Sequence, residues 1–113
     1  MQGGNLAEVF AADIDWMNAW GRHLHGLEEL SQFWEQARHN QGFFTGKITP
    51  ESVKTDVRFV RQDVAVVHTY AERVGQIKVI PTRKIHSQLV VSKEDGKWLI
   101  QSELIMDEKQ LCN

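Results

Sequence analysis

One cysteine, two prolines and one tyrosine occur in the whole chain, and no apolar run approaches the length of a membrane span. The single thiol, Cys112, lies near the C-terminal end, where it staples nothing within the chain and joins no ligand cluster. Disulfide scaffolding and thiolate metal sites are thereby excluded, and a reducing cytoplasm is the expected compartment. Met1-Gln-Gly-Gly-Asn5 lacks the basic-then-apolar order of a secretion signal. Charge of one sign is lacking too: 13 Lys and Arg stand against 15 Asp and Glu, a net −2. Without a basic surplus to neutralise a phosphate backbone, nucleic acid is not an expected partner. No glycine-rich phosphate loop, no Gly-x-Ser-x-Gly elbow and no Cys/His nucleophile pair occurs, so covalent catalysis has no candidate and no cofactor is implied.

What is present is apolar and aromatic. At 113 residues and 42% hydrophobic content, residues 1–113 suit one domain large enough to bury a core unaided. The chain is organised around residues 13 to 30. These read as a short strand (Ile14–Asn18), a glycine turn, a second short strand (Arg22–His25) and the first turn of a helix. Trp16, Asn18 and Trp20 alternate and so share one face of an extended chain. Two indoles and an amide side by side suit the wall of an apolar pocket with a polar anchor; ordinary core is the competing reading for each ring.

Asn5 followed by Glu8 resembles a capping box, and Leu6, Val9 and Phe10 supply a stripe, which predicts a short helix over Leu6 to Ala12. A second helix opens at Gly26, with Leu27, Leu30, Phe33, Trp34 and Ala37 on one face. Glu28 and Glu29 suit its positive end, Arg38 and His39 its negative end, and Asn40 and Gly42 stop it. Phe43 to Pro50 reads as a loop, with Phe44 a candidate rim residue. Beyond it, β-branched residues and turn signals at Gln62-Asp63 and Asp95-Gly96 divide the chain into strands at about 52–61, 64–74, 83–93 and 97–107. Gly75 to Pro81 is either the end of a long hairpin or an edge excursion.

The Asp95-Gly96 turn sets a register in which Glu94 faces Lys97. Counting back places Gln88 opposite Glu103, Val90 opposite Gln101 and His86 opposite Ile105. One face then carries Ile85, Leu89, Val91, Ile100, Leu104 and Met106 toward the helices. The other carries His86, Gln88, Gln101 and Glu103 outward, a mixed surface suited to a subunit contact.

Five histidines are present. His23 and His25 share a strand face at a spacing compatible with a metal, but no third ligand stands at a telling distance, and no metal site is expected. His68, Tyr70 and Glu72 share another face. They are either an acid, a base and an orienting group, or a polar ladder on an outer surface.

Val9-Phe-Ala-Ala-Asp13, Asp15-Trp16-x-Asn18, Gly21, Gly26 and Leu30, followed by Asp63-Val-Ala-Val-Val67 and Gly96-Lys-Trp98-Leu-Ile100, resemble the SnoaL-like branch of the nuclear transport factor 2-like superfamily. The likeness is to the SgcJ/EcaC group of small bacterial proteins, and it covers nearly the whole chain. The resemblance implies an α+β cone: a strongly curved antiparallel sheet wrapped around helices, with a cavity between and a homodimer formed through the outer sheet face. It also implies a longer helix ahead of residue 6, of which Gly3-Gly4-Asn5 resembles only the joining turn; with that helix wanting, the apolar side chains it would shield are expected to be covered by a neighbouring subunit or an exchanged segment, or else left at an unusually open pocket mouth that a ligand or detergent fills. Ketosteroid isomerases of the same superfamily use a carboxylate base at the position of Asn18 and a tyrosine from that first helix. An amide cannot accept the proton at neutral pH, so their mechanism does not carry over.

The expected function is binding of a small hydrophobic or aromatic molecule by Trp16, Asn18, Trp20, Phe33 and Trp34, with any chemistry being noncovalent acid–base work of the cyclase, isomerase or hydrolase type. The alternative is a non-catalytic dimerisation or protein-interaction module.

Overall fold

The computed structural model describes residues 6–38, 47–77 and 80–108. Asn5, His39, Asn40, Gly42, Phe44 and Cys112 lie outside the described residues. Strands β1 (Phe10–Met17) and β2 (His23–His25) precede helix α1 (Leu27–Arg38). Then come β3 (Lys47–Ile48), β4 (Lys54–Arg61), β5 (Val64–Ile77), β6 (Ile80–Glu94) and β7 (Lys97–Asp107), with 3-10 turns at Leu6–Glu8 and Pro50–Ser52. The strands form one sheet in the order β2-β1-β7-β6-β5-β3, with β4 also on β5. Every pairing is antiparallel except β1 with β7, which is parallel. Register shifts in four of the pairings bend this α+β sheet so that its inner face curves around α1.

The expected helix over residues 6–12 is a single 3-10 turn, and the chain is extended from Phe10. A seven-residue helix is marginal in water. Pairing with β7 offers the backbone partners instead, including Ile100 N–H to Val9 C=O at 2.7 Å, and buries Ala11, Ile14 and Trp16.

Ile14, Trp16, Leu24 and Leu30 make the core, with Leu27, Phe33, Trp34, Ile100 and Ile105 packed around it. Fully burying such a side chain contributes about 1.5–3 kcal/mol, which is why the helix stripe and β1 hold together. Gly26 makes the junction. Its N–H donates to Ile14 C=O at 2.7 Å, its C=O accepts from Leu30 N–H, and its φ of +90° is strained for any side chain. Glu29 reaches back to accept from His25 N–H at 2.8 Å.

The described residues of 75–81 belong to the end of the long β5–β6 hairpin, with Ile77 opposite Ile80. Pro81 precedes the stretch where β6 pairs with β7, so no ladder bond to β7 is lost there. In the last hairpin the turn register holds from Glu94↔Lys97 to Val91↔Ile100 and then slips, because Val90 pairs with Ser102 and Gln101 is left over as a bulge. Gln88 therefore faces Leu104 and His86 faces Met106. The expected faces are corrected accordingly: Ile100 and Gln101 keep their sides, but Glu103 turns inward, and Leu104 and Met106 turn out to solvent.

Candidate functional site

Residues 18–22 connect β1 to β2, and the Asn18 side chain holds that connection from within. Its Oδ1 accepts from Trp20 N–H and Arg22 N–H, each at 2.9 Å, while backbone bonds Asn18 N–H to Arg22 C=O and Gly21 N–H to Asn18 C=O close the turn at 3.1 Å. Asn18 is buried; Trp20, at the tip, is 64% exposed. The turn lays the Trp20 indole against Arg83, whose guanidinium carbon is 4.5 Å from the ring centroid, a cation–π distance.

Below this tip lies a cavity of about 220 Å³. Trp16, Asn18, Trp20 and Trp34 all line it. Phe33 does not: it packs against Trp16 at 5.4 Å between centroids, with Arg22 5.6 Å from its own ring, and so buttresses the wall from outside. Phe10, Ile85 and Ile105 add to the apolar lining, and Arg73, Arg83, Ser87 and Glu103 are its other polar residues.

Three of those polar residues escape sequence reading. Glu103 reaches the cavity only because of the Gln101 bulge. Burial pushes its carboxyl above the ordinary glutamate range, and a hydrogen bond from the Trp16 indole pulls partly back. Arg73 and Arg83 face each other across β5 and β6. Asp107 accepts from Arg83 through Nε and Nη2 at 2.9 Å, and burial followed by the charge of Arg83 lowers the Arg73 pKa. The usable signal for the arginines was their period-two spacing on either side of Gly75–Pro81, but the register of that connection had to be known first. Chemically, the cavity lining offers one carboxyl, Glu103, and two guanidinium groups six residues further along the sheet, against aromatic walls.

A second set of titratable groups gathers on the outer face. His68 Nε2 and His86 Nδ1 are 2.9 Å apart with their rings stacked, and His86 Nε2 meets Glu108 at 3.0 Å. Tyr70 O–H donates to Glu72 at 2.8 Å, and burial followed by that bond pushes its pKa up to about 12. This open groove, also lined by Lys54 and Asp56, lies on the opposite side of the sheet from the cavity. His23 and His25 are exposed, and His23 contacts Asp15. Among the described residues no group of three or more His, Cys, Asp or Glu could hold a metal ion. No described helix is long and apolar enough to cross a membrane.

No protein-family model matches the chain, and no curated protein does. Solved structures do. A domain of unknown function with a cystatin-like fold from Nostoc punctiforme PCC 73102 is similar at a TM-score of 0.73 and 26% identity, covering 94% of this chain and 64% of that one. An uncharacterised protein with a cystatin-like fold from Caulobacter vibrioides gives 0.68 at 20% identity over 92% of this chain and 74% of its own. An NTF2-like protein of unknown function from Pseudomonas putida KT2440 gives 0.67 at 16% identity, covering 94% of this chain and 72% of that one. The chain spans less than two thirds of the first of these relatives. The fold is NTF2-like, or cystatin-like, α+β.

Proposed function

We propose that this is a small SnoaL-like protein of the cytoplasm that binds a small hydrophobic or aromatic molecule in its cone-shaped pocket. Any chemistry there is noncovalent acid–base work of the cyclase, isomerase or hydrolase type. The observation that supports this reading is the composition of the cavity: apolar walls from Trp16, Trp34 and Ile105, and a few polar groups in the lining, rather than a space filled by Phe and Trp side chains. Glu103 is the group positioned for acid–base work, since Asn18 has no proton-accepting nitrogen and spends its oxygen on the turn. Indole emission tests the reading, because Trp16, Trp20 and Trp34 border the cavity. Saturable changes are expected with some members of a panel of aromatic and terpenoid-like compounds. A flat response across the panel would count against it.

A second reading, the non-catalytic interaction module, is supported by the outer face of β6 and β7, where Leu104 and Met106 (59% exposed) flank Gln88 and His86. The two readings fit one molecule, with a homodimer or larger assembly formed through this face and the pocket on the other. Met106→Arg would bury an unpartnered charge in such a contact, and sedimentation should show a shift toward monomer. An unchanged assembly would refute that interface.

A further inference from the structure

A strand has two hydrogen-bonding edges, and among the described residues β4 uses only the one against β5. Its other edge runs along Lys-Thr-Asp-Val-Arg-Phe-Val-Arg with all eight residues exposed. Such a row of N–H and C=O groups is a template for another strand unless proline, a bulge or charge blocks it. β4 has no proline, and its bulge comes late: Phe59 pairs with Ala65 and Arg61 with Val64, so Val60 is left over and Lys54 to Phe59 stays regular. The remaining guard is charge, and here its spacing selects one partner rather than excluding all. Lys54, Asp56 and Arg58 lie on the outer face, while Thr55, Val57 and Phe59 lie on the inner one. An antiparallel partner of the same sequence must keep inner face beside inner face, so a two-fold axis relating the copies falls on a residue. Centred on Asp56, the pairing sets that carboxylate against itself and Lys54 against Arg58; centred on Arg58, it sets two guanidinium groups together. Centred on Val57, it sets Asp56 against the partner's Arg58 twice over, with Val57 against its own copy at the axis and Thr55 against the partner's Phe59. Neither Asp56 nor Arg58 has a side-chain partner among the described residues.

We propose that the free edge of β4 is a self-recognition site, to which a second copy of this chain adds its own β4 in antiparallel fashion about an axis at Val57, joining two sheets into one. Main-chain hydrogen bonds supply the adhesion, and the two Asp56–Arg58 pairs choose the register. The contact lies at a sheet edge, apart from the outer face of β6 and β7, and it does not depend on the pocket. It sets a strand beside Val57 without covering the inner face of that residue.

Sedimentation velocity over a range of concentrations tests the proposal on the intact chain carrying Met106→Arg, which takes the outer face out of play. Reversible dimerisation should persist in that background. Adding Asp56→Arg or Arg58→Asp should raise the dissociation constant at least about tenfold, because like charges then meet at both pairs. An equimolar mixture of those two variants should recover the parent affinity, since each supplies the charges that the other lacks, and the double exchange Asp56→Arg with Arg58→Asp should recover it too. Loss of all association with Met106→Arg alone would overturn the edge contact and leave the outer face as the interface. Dimerisation that ignores both single exchanges would overturn it as well. A mixture that associates no better than its components would overturn the register about Val57. Circular dichroism checks that the variants fold; if a single exchange does not, the double exchange decides, and its failure to associate overturns the pairing.

Discussion

Ile14 and Val57 are β-branched residues on the inner face of the same sheet, yet one is fully buried and the other is 54% exposed. The difference is cover. Ile14 and Trp16 lie under α1, with Leu30 completely buried against them. Val57 is linked through Val67 and Leu89 to the inward-facing Glu103, so its side chain points the same way. It sits on β4, however, beyond β5, where no described helix reaches. All of β4 is exposed, and on the inner face there Phe59 meets Trp98 edge-on at 6.1 Å. Alternation of apolar residues marks which face of a strand is meant to be dry. It does not say what dries it, or whether one helix is long enough to do so along the whole sheet.

The contrast predicts very different costs for similar truncations. Leu30→Ala should lose about 2–5 kcal/mol of unfolding free energy in urea titrations, whereas Val57→Ala should stay within about 0.5 kcal/mol. Should Val57→Ala cost as much as Leu30→Ala, the open end is covered in solution, and its penalty would then depend on protein concentration.

A smaller loss is expected within the covered end. Asn18→Leu strips the Trp20 and Arg22 amides of their acceptor, at about 1–3 kcal/mol, and should release Trp20 from Arg83, as seen in near-ultraviolet dichroism. Asn18→Asp keeps the acceptor and should retain the Trp20 signal. If Asn18→Leu leaves both stability and signal intact, the turn does not depend on this side chain.

The smallest effect distinguishes the two faces by sign. Burial raises the Glu103 pKa in the folded state, so between the ordinary glutamate value and the raised one the folded chain holds the proton that the unfolded chain has released. Stability should fall as pH rises through that window and then level off. Glu103→Gln should abolish this step in melting temperature measured against pH; a step that survives belongs to another group. On the outer face His86 holds the Glu108 carboxyl below its ordinary range. Its contribution runs the other way, lost as pH falls through the lowered value, and is weakened by solvent screening.

How far the sequence could be followed depends on residue spacing. The stripe of Leu27, Leu30 and Trp34 made α1 legible, and Asp95-Gly96 made the bounds of β7 legible. Trp16, Asn18 and Trp20 were legible as neighbours, though not the use of the Asn18 oxygen inside the turn. Leu6, Val9 and Phe10 have helical spacing and concealed the strand that begins at Phe10, because pairing with β7 comes from the far end of the chain. Phe33 falls on the same stripe as Trp34, and spacing could not tell the cavity wall from its support. Arg73 and Arg83 come together through a connection whose register has no sequence mark. Glu103 was misplaced because one unpaired residue leaves no trace in an alternating pattern.

Gln101 thus decides more than a local irregularity. If the bulge were instead lost by a one-residue slip of β7, with Gln101 paired to Val90, Glu103 would rotate to the solvent side, and the side chains of Leu104 and Met106 would swing into the hollow. The interior would lose its carboxyl and gain two apolar side chains without a single substitution. In an architecture of this kind, the register of the closing strand sets what the interior can hold as much as the identity of the wall residues does.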